Sequence, residues 1–207
     1  MLRSTAKWVT LLIVFIAINA VATQAATLDI VSGELRGVSG VEIGSNLYDV
    51  EFIDGAAVGL FSTGGVYNFF FNTAADATAA STALLNAFNT AVNTDFTNFP
   101  ERLRGIDDTS LGIIATPWGF SSGAPFPFPT PPSVFVINFY NWFENSTEPD
   151  TVVGNAIVNP FFDTSTSAGG SLVWAVWTAA TPIPEPATMF LFGFGLLGLS
   201  GVSRRKK

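Results

Sequence analysis

Leu47-Tyr48-Asp49-Val50-Glu51-Phe52-Ile53 is the stretch from which the fold of this 207-residue chain is read. Tyr48, Val50 and Phe52 alternate with Asp49 and Glu51, a period of two with one apolar and one wet face. That pattern predicts a half-buried strand, and Asp54-Gly55 supplies the turn after it. Upstream, residues 28–31 and 34–43 read as short strands with glycine turns. Downstream, residues 66–71 form a short aromatic run, and 133–143, 151–159 and 171–179 are further strand candidates. The first and third of these three are apolar on both faces and belong centrally in a covered sheet. One helix is expected, over residues 74–92. Thr73 and Asp76 have the spacing of a capping box, and Ala77, Ala80, Leu84, Phe88 and Val92 fall on one face. Residues 95–118 are mixed, broken by Pro100 and Gly105. The run Pro125-Phe126-Pro127-Phe128-Pro129-Thr130-Pro131-Pro132 is an extended, polyproline-like loop. Several strands and one helix predict an α+β domain, a small antiparallel-rich sheet with one packed helix, over residues 27–181.

Composition narrows the chemistry. The chain has no Cys and no His. Disulfides, thiolate nucleophiles, Cys or His zinc sites and a His general base are therefore excluded. Residues 27–183 hold fifteen of the sixteen acids but only three of the nine cations, Arg36, Arg102 and Arg104, so this part carries −12 against −7 for the whole chain. Phosphate contacts need clustered Lys or Arg, so a nucleic-acid partner is not expected.

The remaining cations sit at the two ends. Arg3 and Lys7 precede a weakly polar to apolar run over residues 8–20, and Ala20-Val21-Ala22, Ala25 and Ala26 follow. Residues 1–26 thus read as a secretory signal peptide, handled by the secretion translocon and signal peptidase. At the other end, Pro182, Pro184 and Pro186 break any preceding element. An apolar run over 187–202 follows, about 24 Å long as a helix against a bilayer core of about 30 Å. Arg204, Arg205, Lys206 and Lys207 then act as a stop-transfer cluster. The expected topology is an ectodomain outside and a C-terminus in the cytoplasm. Gly193, Gly195, Gly198 and Gly201 lack the four-residue spacing of a helix-dimerisation motif.

Three elements in order, Ile183-Pro184-Glu185-Pro186-Ala187-Thr188-Met189, a Gly/Leu/Phe helix and Arg-Arg-Lys-Lys, resemble the PEP-CTERM sorting signal over residues 182–207. Pro184, Glu185 and Pro186 match its motif. The resemblance implies a Gram-negative bacterium that makes exopolysaccharide, and an exosortase as the membrane-embedded partner that processes the tail. It implies transient anchoring in the inner membrane, then display at or release from the cell surface. The body, through 44–55 and 172–178, also resembles some uncharacterised secreted proteins with the same tail, which implies a shared fold and no known activity.

Without His or Cys, catalysis would fall to carboxylates. Asp49, Glu51 and Asp54 are the nearest group, and two carboxylates flanking a sugar cleave glycosides. A solvated strand face explains them better, so no enzyme and no cofactor are expected. Asp107 and Asp108, near Glu101, lack the calcium-loop spacing. Pairing with Arg102 and Arg104 is the expectation there, and no metal site is assigned. Trp118, Phe126 and Phe128 lie on loop-like sequence and are the candidates for stacking on a carbohydrate. Trp174 and Trp177 lie on a buried-looking strand and belong to the core. Asn145-Ser146-Thr147 has the form of a glycosylation sequon. The expected role is a non-catalytic structural or adhesive component of the exopolysaccharide matrix in a biofilm. The alternative is a carbohydrate-binding module.

Overall fold

A computed structural model describes residues 25–90, 96, 99–123, 131–142, 150–166 and 170–181. Ala25–Ala180 form one unit. Most of the expected signal peptide, up to residue 24, the expected sorting motif and span 187–202, the basic tail, Val92, Phe126, Phe128 and the sequon lie outside the described residues. Among the described residues no helix is long and apolar enough to cross a membrane.

The chain begins with an antiparallel meander, β1 (Thr27–Val31), β2 (Glu34–Ile43) and β3 (Asn46–Ile53). The alternation at 47–53 is realised in β3, with Val50 and Phe52 buried and Glu51 exposed. A five-residue helix, α1 (Ala57–Phe61), follows the turn at Gly55. Next come the two-residue strands β4 (Ser62–Thr63) and β5 (Val66–Tyr67). Gly64 and Gly65, both at positive φ, make the tight turn between them.

Helix α2 (Ala74–Thr90) starts where the capping signal places it. Thr73 Oγ1 accepts the Asp76 amide N–H at 3.1 Å. The Asp76 carboxylate accepts the Thr73 hydroxyl at 2.7 Å, where a longer Glu would reach back to the cap amide. Ala77, Ala80, Leu84 and Phe88 are buried, so the narrow stripe faces the sheet as expected.

A second meander closes the fold: β6 (Leu111–Ser121), β7 (Ser133–Trp142) and β8 (Thr151–Val158). The last strand, β9 (Leu172–Ala179), inserts between the two meanders, giving the order β1-β2-β3-β9-β6-β7-β8. It runs antiparallel to β3 and parallel to β6, so the sheet is mixed, with five antiparallel contacts and one parallel. β9 lies centrally, as its two apolar faces predict. β7 lies next to the β8 edge rather than at the centre, and it is apolar on both faces because both are covered.

Alternate residues of the sheet feed two cores. On one face α2 touches β2, β6, β7 and β8. Phe88 packs there between Phe52 and Phe139, with ring centroids 6.3 and 5.2 Å away. On the other face α1 and the β4–β5 hairpin cover Ala115, Val134, Val136 and Trp174. Trp174 and Trp177 are both core residues, pointing to opposite faces.

Candidate functional site: an aromatic cleft and a carboxylate latch

The parallel contact between β6 and β9 is short. Ile113, Ile114 and Ala115 pair with Leu172, Val173 and Trp174, and no further pair forms although both strands continue. Beyond that point lies a cleft of about 260 Å³, lined by Leu60 and Phe61 of α1, Asn68, Phe69 and Phe70, Pro117 of β6, and Ala175, Val176 and Trp177 of β9. The lining contains no charged side chain.

Aromatic rings lead from this cleft to the surface. Phe61 meets Trp174 edge-on at 5.7 Å and Phe69 at 5.6 Å. Tyr67 stacks on Phe69 at 5.7 Å and on Phe120 at 4.1 Å with only 19° between the planes. Burial pushes the Tyr67 hydroxyl above its ordinary pKa. Phe120 and Phe70 remain 37% and 44% exposed. Ring faces beside the Asn68 amide are the chemistry that stacks on sugar C–H faces and bonds hydroxyls.

Trp118, expected on a loop, is instead on β6. It is half-buried and stacked on Phe135 of β7 at 5.3 Å. The register of β6 against β7 shifts between Pro117 and Gly119, so Trp118 is the extra residue of a bulge. It sits on the α2 face, away from the Tyr67–Phe120 stack. The cluster that sequence reasoning missed is Phe61, Tyr67, Phe69 and Phe120, with Phe70 lining the cleft while packed on Tyr48 and Phe71. Its signal was the aromatic density of 66–71 directly after Gly64-Gly65.

The acidic candidates separate. Asp49 accepts the Gly40 amide N–H at 2.9 Å. Glu51 pairs with Arg104 at 3.0 Å, an exposed bridge. Arg104 therefore meets a carboxylate 53 residues away rather than the neighbouring Asp107 or Asp108. Asp108 turns back on Ser110, accepting its amide and hydroxyl at 2.8 and 2.6 Å, which lowers its pKa. Arg102 lies over the Phe99 ring at 4.9 Å. Among the described residues no group of three acids is placed to hold a metal ion.

Asp54 is drawn inward. Thr164, fully buried, donates to Asp54 Oδ1 at 3.2 Å and accepts the Gly55 amide N–H at 2.9 Å. Burial raises the pKa of Asp54, and Asp107 and Asp163 add to the rise. The Thr164 hydroxyl and the Arg104 charge oppose it. The Asp54 carboxylate also lies against Gly105, where a Cβ would collide with it. This is a latch joining the end of β3 to the loop before β9.

Residues 182–206 match the family model described as the PEP-CTERM protein-sorting motif. The chain carries a PEP-CTERM sorting signal. That signal marks an exported protein and is what an exosortase recognises. No curated protein and no solved structure matches the chain. The PEP-CTERM match thus names the route of this protein, while its body is read from its own geometry.

Proposed function

We propose that this PEP-CTERM protein is a non-catalytic structural or adhesive component of an exopolysaccharide matrix. Its tail is held briefly in the inner membrane with the C-terminus in the cytoplasm, then processed by the exosortase, and the body is displayed at or released from the surface. The observation that carries the reading is the sorting-motif match at 182–206. The non-catalytic assignment is supported by the engagement of the carboxylates: Glu51 with Arg104, Asp49 with the Gly40 amide, Asp163 with Ser165 and Asp108 with Ser110. Mass spectrometry of surface material should find a mature chain lacking the tail. An intact Lys207 there sinks the sorting route, and turnover of any polysaccharide sinks the non-enzyme assignment.

The exposed Phe70 and Phe120 beside the uncharged cleft favour a second reading, in which the body binds polysaccharide. Glycan-array binding lost on Phe120→Ala but retained by Trp118→Ala would assign it to the Tyr67–Phe120 surface.

A further inference from the structure

β6 and β9 part beside a proline. Ile113 donates its amide N–H to the Ser171 carbonyl at 2.7 Å, so Ile113, Ala115 and Pro117 turn their backbone groups toward β9. Pro117 stands at the next donor position, just past the last pair, and has no N–H to extend the ladder. On the other side, the Ala180 amide donates to the Leu47 carbonyl of β3 at 3.0 Å. Alternate residues of β9 therefore bond β3, and Ala175 and Trp177, lying between them, direct their backbone groups toward β6. The Ala175 carbonyl lies opposite the missing donor, and the Trp177 N–H and C=O follow it with no β6 residue paired to them. Ala175 and Trp177 both line the cleft. Phe69 belongs to the core under α1 and Phe71 to the core under α2, so the chain crosses from one face of the sheet to the other beside this opening.

We propose that the opening between β6 and β9 holds one uncharged sugar unit, an inference that rests on the polysaccharide-binding reading above. Its volume of about 260 Å³ falls below the 300–1,000 Å³ or so of pockets for drug-sized ligands, which suits a single ring. Sugar hydroxyls donate and accept at once. The Ala175 carbonyl accepts, the Trp177 N–H donates, and the Asn68 amide does both. Phe61, Phe69 and Phe70 give the C–H faces of the ring an apolar wall. A fatty acyl chain would leave the Ala175 carbonyl and the Trp177 N–H dry and unpaired, which is costly. Charge decides between neutral and acidic sugars. Residues 27–183 have three cations, and each is engaged away from the lining: Arg36 with Glu34, Arg104 with Glu51, and Arg102 over Phe99. A uronate entering the cleft would lose hydration and meet no counter-charge.

The test titrates the full chain, in a sugar-free nonionic detergent, with matched panels of neutral and uronic-acid oligosaccharides at physiological salt. A neutral oligosaccharide is expected to bind, with its uronic-acid counterpart about tenfold weaker or more. Asn68→Ala removes an exposed side chain, so the fold is kept, and should weaken neutral binding about tenfold. Trp118→Ala, on the opposite face, should leave it unchanged. Equal or tighter binding of the uronic-acid panel, or neutral binding that survives Asn68→Ala, overturns this inference and leaves the polysaccharide reading standing. Binding of no oligosaccharide overturns both. Uptake of a fluorescent fatty acid that no oligosaccharide displaces makes the cleft a lipid site and overturns the inference as well.

Discussion

Trp174 donates its indole N–H to the Gly55 carbonyl at 2.8 Å, tying the middle strand of the sheet to a turn 119 residues earlier. The same turn is held from the other side by Thr164, so one fully buried ring and one hydroxyl fix the exit from β3. Trp174→Phe keeps most of the ring but removes the shortest donor to the Gly55 carbonyl, leaving it the longer contacts from Thr164. A loss of about 0.5–1.5 kcal/mol is expected. Trp174→Ala adds a cavity and should cost about 3–5 kcal/mol. Urea unfolding followed by circular dichroism measures both, and a Trp174→Phe variant as stable as wild type would deny the hydrogen bond its part.

Ser81 of α2 and Trp177 of β9 share a single partner, Thr116 of β6. Ser81 Oγ and Trp177 Nε1 lie 3.0 and 3.3 Å from its hydroxyl, all three residues being buried. Thr116→Val leaves both unpaired, at about 1–3 kcal/mol for each stranded group. Ser81→Ala with Thr116→Val removes one of the stranded groups. The double variant should therefore be more stable than the sum of the two single losses, by denaturant titration of all four proteins.

The pKa of Asp54 is raised in the folded chain, so the unfolded chain ionises first as pH rises. The ionised carboxylate therefore opposes folding above the ordinary carboxylate range, and protonation relieves it below. Asp54→Asn should be more stable than wild type at neutral pH, with the gap closing as the pH falls into that range. Asp108 has the opposite sign, because Ser110 lowers its pKa. Asp108→Asn should lose stability at neutral pH, and that deficit should close on acidification. Melting temperatures from pH 3 to 8 separate the two, and parallel profiles would contradict the assignment.

Gly37 of β2 passes so close to β3 that a Cβ on it would run into the Val50 carbonyl oxygen, an atom of the backbone that cannot swing aside. Gly37→Ala must push β2 and β3 apart. Overpacking of this kind costs about 1–3 kcal/mol. Gly59→Ala, in α1 with open space around it, is the control and should be nearly neutral. Thermal melts of the pair check the difference.

The parts of the fold legible in sequence were those where one periodicity dominates. The alternation of β3, the two-faced apolar runs of β7 and β9 and the capped stripe of α2 each state a face and a length. β6 was hidden because Gly112, Pro117 and Gly119 break it into fragments that read as loop. The sheet explains why they are tolerated. Pro117 lies past the last β6–β9 pair, so its missing N–H removes no bond from that ladder. Gly112 faces the packed ends of Leu103 and Pro100, where a larger residue would crowd them. Misreading β6 displaced Trp118 onto a loop and concealed Phe120 as a partner for Tyr67. α1 is too short to show a period, and the pairing of Arg104 with Glu51 joins positions that only the tertiary fold brings together.

The strand at the centre of the sheet is the last described strand in the chain. β3 must wait for residues more than a hundred positions later, and the two meanders share no strand until residues 172–179 exist. Pairings so distant in sequence form slowly, since the loop must close before the contact repays it. Synthesis from the N-terminus therefore completes both meanders before the strand that joins them. For an exported protein that order has a consequence: the strand that joins the two meanders arrives immediately ahead of the segment that carries the sorting signal.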